Sequence, residues 1–241
     1  MFSFDRKTLY TMFIVIAIFG IISLGTEGII SILLTLPGVL LAMTVHEYSH
    51  AKMADHYGDT TARNQGRLTL NPIAHIDPIG IFLLIFAHIG WGKPVQVNPN
   101  NFTSNKSRGY CEAMISFAGP LSNFILAIVL TMIQALTIVP LYSLGEFGMI
   151  LAMLIEYAII VNIGLGVFNL IPLPPLDGEK IFKNILPSGA KSWLTRNGQM
   201  LEMLFLILWI TGLLGEVVSP VINVVYTLIK TPIGYLFGLF L

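Results

Sequence analysis

The chain is short of charge. Only 11% of its 241 residues are Asp, Glu, Lys or Arg, where an ordinary soluble domain carries about 25%. Thirteen basic and thirteen acidic residues cancel, so the basic surface that a nucleic-acid partner requires is excluded. Cysteine is nearly absent. Cys111 alone rules out an internal disulfide framework and a cysteine-based zinc site, and it reads as a small packing residue. No internal repeat, low-complexity tract or separate soluble domain is visible. What remains is 55% hydrophobic with a mean hydropathy of +0.79, and that points to a lipid bilayer.

A spanning helix needs about 20 mostly apolar residues. Six stretches qualify: 9–24, 29–57, 110–139, 147–170, 199–214 and 221–240. The first and fifth are short. Arg6 and Lys7 precede the first, but no small-x-small cleavage site ends it, so a retained span is expected. A seventh apolar run, 78–91, has the length usual for re-entrant or interfacial pieces. Around it, 60–101 is rich in Asn, Pro, Gly and Thr, and the alternating pieces 67–70 and 94–97 predict strands. Their edges could capture an extended peptide by β-augmentation. The expected fold is an all-α polytopic membrane protein with about six transmembrane helices. A small β-strand and re-entrant loop region lies between the second and third. The whole chain, 1–241, forms one membrane-embedded domain with its core at about 29–185.

Every basic residue except Lys230 falls on one side if the N-terminus is inside, while Glu27, Glu146 and Glu216 mark the outer turns. The positive-inside rule then places both termini in the cytoplasm. Lys230 sits in the last apolar run and would have to snorkel.

The strongest motif is His46-Glu47-Tyr48-Ser49-His50, an H-E-x-x-H on a predicted helix. Residues four apart share a helical face, so both imidazoles reach one metal ion with Glu47 beside them as general base. The motif follows seventeen uncharged residues, 29–45, and ionisable groups at such depth are functional by default. Two residues compete to be the third ligand. His56 has metzincin spacing, but Met53 stands where that pattern needs a glycine to leave the helix. A continuous helix carries His56 roughly 15 Å along the axis from His46. Asp177 lies in Asn169-Leu170-Ile171-Pro172-Leu173-Pro174-Pro175-Leu176-Asp177-Gly178. Its prolines make an extended, stiff segment at the inner end of a span. The bland reading of Pro-Leu-Asp-Gly is a turn.

These residues resemble the site-2 proteases, the intramembrane zinc peptidases of the M50 class. H-E-x-x-H at 46–50, the N-x-x-P-x-P-x-x-D-G segment at 169–178 and Gly119-Pro120-Leu121-Ser122-Asn123 carry the likeness. Asn71-Pro72, His75-Ile76-Asp77-Pro78 and Trp91-Gly92-Lys93-Pro94-Val95 add the loop signature. The resemblance implies one Zn2+ per chain on His46, His50 and Asp177, catalysis by Glu47, and cleavage within transmembrane helices of other membrane proteins. It matches a minimal form without PDZ or CBS domains, an integral protein of a prokaryotic cell membrane. It also implies that Asn123 donates an amide N–H to the oxyanion; a helix–helix hydrogen bond is the other reading. Partners are then the bilayer and transmembrane substrates, with self-association left open.

Among the remaining polar residues, His75 is expected to serve the loop's own hydrogen bonding and His88 to be packed or interfacial. Glu156 and Asn162 are expected to bond inside the bundle. A membrane metal transporter or channel is the alternative function, and it would place polar groups from several helices at midplane.

Overall fold

The computed structural model describes residues 6–87 and 90–238. His88 and the end of the last expected span lie outside them. The architecture is helical throughout, and among the described residues there is no strand.

Helix α1 (Arg6–His56) is interrupted at Gly25, where φ is 58°. A residue without Cβ adopts that conformation freely, so 6–24 and 25–56 are two helices in sequence. Helix α2 is the short Thr61–Asn64 and α3 is Pro78–Ala87. Two long helices follow, α4 (Arg108–Ser143) and α5 (Glu146–Asn169). Then come α6 (Asp177–Ile185), α7 (Ser188–Arg196), α8 (Gly198–Ile210) and α9 (Leu213–Leu236). Among the described residues, four helices are long and apolar enough to cross a membrane: Gly25–His56, α4, α5 and α9. Their outward faces are apolar and exposed, as at Leu136, Val139, Phe147, Val217 and Leu228. In lipid such surface has no reason to be buried.

The bundle is an α4–α5 hairpin with α1 laid across it. The approach is close. A Cβ built on Gly38 would come 2.8 Å from the Cα of Ala158, the backbone-to-backbone contact that small residues permit in membranes. Ile159, Ile163 and Val167 of α5 form a core with Ala127 of α4, Phe205 of α8, and Leu214 and Val218 of α9.

Four of the six expected spans are met by these helices; the side chains of the first, 9–24, lie largely outside the described residues, and the fifth is corrected. The fifth stretch, 199–214, forms α8, thirteen residues long. At 1.5 Å per residue that is about 20 Å, short of a hydrocarbon core of about 30 Å. Phe205 and Trp209 of α8 pack on Phe168 at the last turn of α5, so the α8–α9 turn stays at that end of the bundle. From there α9 runs antiparallel to α5: Ile222 faces Gly164, and Lys230 meets Glu156.

The expected strands are also corrected. Segment 67–70 bends at Leu68 and Thr69, and 93–97 is irregular; neither forms a ladder. Pro94 removes one donor, and side chains take over the cross-linking. Arg67 donates to the carbonyl of Lys93, and Gln65 bonds Gln96 at 2.7 Å. The fully buried Asp59 ties the next stretch, accepting from the N–H of Asn98 (2.7 Å) and from Asn101 Nδ2 (2.9 Å).

Candidate metal centre

His46 and His50 lie one turn apart on α1, both buried. Their rings face α4 where Gly119 leaves room; a Cβ there would come 2.5 Å from the His50 ring and 2.7 Å from that of His46. Gly119 is thus a steric requirement of the two imidazoles. Asp177 arrives from the other side, as the first residue of α6 after the proline-rich segment. Gly178 lets that helix start close against the end of α5, since a Cβ would meet the carbonyl oxygens of Ile171 and Leu170.

The three side chains converge. His46 Nε2 and His50 Nε2 are 2.9 Å apart, and each lies 3.1 Å from Asp177 Oδ2. Among the described residues they are the group of three that could hold a metal ion. Their far sides are committed. His46 Nδ1–H donates to Asn123 Oδ1 (2.7 Å), and His50 Nδ1–H donates to the carbonyl of Ile115 (2.7 Å). With the protons held at Nδ1, both Nε2 lone pairs point into the gap beside a carboxylate. Three electron-pair donors at such distances repel one another unless a proton or a metal cation lies between them, and a metal can engage all three at once. The donor set therefore fits a divalent metal that accepts nitrogen and oxygen ligands.

Glu47 lines the same cleft of about 180 Å3 as His46, His50 and Asp177. Its Oε2 accepts the N–H of Val95 at 2.8 Å, which fixes the carboxylate at the cleft wall. Asn123 is elsewhere. It is fully buried behind His46, and its Nδ2 donates to the carbonyl of Ala42 and to Asn162 Oδ1, both at 3.0 Å. Asn162 in turn donates to the carbonyl of Ala158 (2.8 Å). Both amide hydrogens of Asn123 are engaged in this arrangement, leaving none for an oxyanion. The helix–helix bond, kept as the other reading of this residue, is what the geometry carries.

The other polar residues are accounted for. α1 continues as helix through Met53 to His56, which is exposed and outside the cluster. His75 is buried, with Nε2 2.8 Å from the carbonyl of Thr69, as its loop role predicts. Glu156 and Asn162 both bond within the bundle. Lys230 does not snorkel: its ammonium sits at Glu156 Oε2 and Gln134 Oε1. Two groups at the site escaped the sequence reading, the Ile115 carbonyl and the Val95 N–H. Main-chain atoms leave no residue-type signature.

Comparison with known proteins decides the family. The profile of Peptidase family M50 matches residues 138–211, which include Asn162 and Asp177. "Putative zinc metalloprotease YwhC" of Bacillus subtilis (strain 168) is 37% identical over 186 residues, 77% of this chain and 84% of that protein. The chain belongs to peptidase family M50. As a metalloprotease of that family it also resembles "Putative zinc metalloprotease Rip2" of Mycolicibacterium smegmatis, 30% identical over 61% of this chain and 54% of that protein. The protein of that name from Mycobacterium tuberculosis (H37Rv) is 28% identical over 60% and 54%. No solved structure matches.

Proposed function

We propose that this M50 peptidase is an intramembrane zinc metalloprotease that hydrolyses peptide bonds within or near transmembrane helices of other membrane proteins. One observation carries the reading. Two imidazole nitrogens and a carboxylate oxygen converge within 3.1 Å of one another at the end of a membrane-spanning helix, with a second carboxylate in the same cleft. His46, His50 and Asp177 would hold one zinc ion per chain, which supplies Lewis acidity toward water and the peptide carbonyl. Glu47 takes the proton from the attacking water and delivers it to the departing amide nitrogen. Asn123, backed by Asn162, is a positioning residue: it holds the His46 ring and keeps its proton at Nδ1. The segment carrying Pro94, Val95 and Val97 forms one wall of the cleft and lies where a substrate strand would pass.

The reading gives the protein a direction in the cell membrane. The loops and helices at the His50 end carry Lys52, Arg63, Arg67, Lys93, Lys106, Arg108, Lys180, Lys183, Lys191 and Arg196, so that end faces the cytoplasm. Water then reaches the cleft from inside. Because α8 does not cross, α9 delivers the C-terminus to the opposite face, in place of the cytoplasmic position expected from six spans.

The test is Glu47→Gln in purified protein and in membranes. Zinc content should stay at one per chain while cleavage of membrane proteins stops; continued cleavage sinks the reading. Metal transport, the alternative, needs polar groups open to a path across the bundle. The intramembrane charges Glu156 and Lys230 are instead bound to each other.

A further inference from the structure

The cleft that holds Glu47 and Asp177 has a second cavity beside it. Val97, Ile115, Ser116 and Lys180 line it and also line an adjoining cavity of about 370 Å3. This second cavity lies between α4, α6 and α7, at the same end of the bundle. Its wall carries Lys180, Lys183 and Lys191 against Glu112 and Glu179.

Pairing among these groups is uneven. Glu179 binds Lys183 at 3.1 Å, and Glu112 is taken by Arg108 at 3.1 Å. Lys191 has only a neutral partner, donating to Asn184 Oδ1 at 3.2 Å. Lys180 meets no carboxylate within ion-pair distance among the described residues. Two cations without counter-ions therefore face a cavity that shares a wall with the cleft. An extended peptide advances about 3.3 Å per residue, so a chain lying past Glu47 brings a side chain a few residues away into this space.

We propose that this cavity is a subsite for an acidic side chain of the substrate, with Lys180 and Lys191 as its specificity-determining residues. The proposal rests on the protease reading above. Cytoplasmic flanks of membrane proteins are enriched in Lys and Arg. A doubly cationic subsite repels those common flanks and selects the uncommon acidic one, which is discrimination by repulsion as much as by attraction.

The experiment uses the full-length protein in detergent micelles with added zinc. Its substrates are synthetic extended peptides that differ only in Glu, Gln or Lys at each position flanking the cut. On one side of the cut, Glu should raise kcat/KM about fivefold over Gln, the scale of exposed charge pairs, and Lys should lower it. The preference should shrink as salt rises. Lys180→Glu with Lys191→Glu should invert it. Lys191→Glu alone, on exposed α7, should weaken it and guards against a folding defect in the double variant. Equal rates for Glu and Gln in the wild type, or an unchanged preference in the reversed variants, overturns the subsite while leaving the protease reading intact. If zinc is bound but neither neutral nor charged peptides are cut, the protease reading fails and the subsite fails with it.

Discussion

The helix bundle holds polar side chains in two places. At the C-terminal end of α1, His46 Nε2, His50 Nε2 and Asp177 Oδ2 crowd within 3.1 Å of one another, while both Nδ1 atoms are bonded elsewhere. Toward the other end, Glu156 of α5 accepts from Lys230 of α9, Gln134 of α4 and the Tyr226 hydroxyl of α9. In that second cluster every donor has its acceptor and the charges cancel. Burying polar groups in an apolar medium costs several kcal/mol unless they are paired. The second cluster meets that condition from its own residues and ties three helices together. The first meets it only with something added. A polar cluster that satisfies itself is a fastening, while one that cannot is a site.

The difference can be broken from either side. The largest effect belongs to the incomplete cluster. Glu47→Gln should lower kcat/KM by about 10²–10⁴-fold, the range for loss of a general base, with zinc retained by atomic emission. His46→Ala or Asp177→Ala should lose the metal itself. Next is Asn123→Ala, which removes the acceptor for His46 Nδ1 and should weaken zinc binding about 10–100-fold in a chelator competition. Full affinity there would mean that the amide does not orient the imidazole. In the self-satisfied cluster, Lys230→Met leaves Glu156 without its cation and should destabilise the bundle by about 1–3 kcal/mol in thermal unfolding. Adding Glu156→Gln should recover most of the loss, because the partner charge is gone too. Zinc content should not move in either variant; if it does, the two clusters are coupled.

The smallest effect lies outside the membrane, at Asp59. Burial works to raise its pKa, but hydrogen bonds from Thr61, Asn101 and Asn98 overcome that and hold it below the usual value. Because the folded pKa is the lower one, the stabilisation is fully present above about pH 4, the ordinary carboxylate value. It fades as pH falls through the folded pKa. Asp59→Asn should flatten the acid limb of a stability–pH curve, and an unchanged limb would show that another carboxylate sets it.

Much of the site was legible because its chemistry is written in residue types at helical spacing. His46, Glu47 and His50 needed only the i, i+4 rule, and Asp177 stood out by its prolines. The loss of His56 followed from Met53. The span count failed at 199–214, where composition is apolar enough for lipid but the helix stops at Ile210 and turns at Gly212. Hydropathy measures preference for lipid, and a helix packed on Phe168 satisfies that preference without crossing. The strands failed for a related reason. Alternation at 94–97 suits an extended chain, yet Pro94 and the side-chain ties from Arg67 and Gln65 fix it without a partner strand. The Lys230–Glu156 pair was open to inference, since charges inside membranes seek each other; snorkelling treated Lys230 alone.

The orientation proposed for α9, with its C-terminal end on the face opposite the cytoplasm, has a practical side. A fluorescent protein fused after residue 238 would have to be exported across the membrane unfolded, and a fluorophore that matures only in the cytoplasm would stay dark there. A short epitope at the same place would be stained by antibody in intact spheroplasts without permeabilisation. The same epitope between α6 and α7 would stay hidden until the membrane is opened.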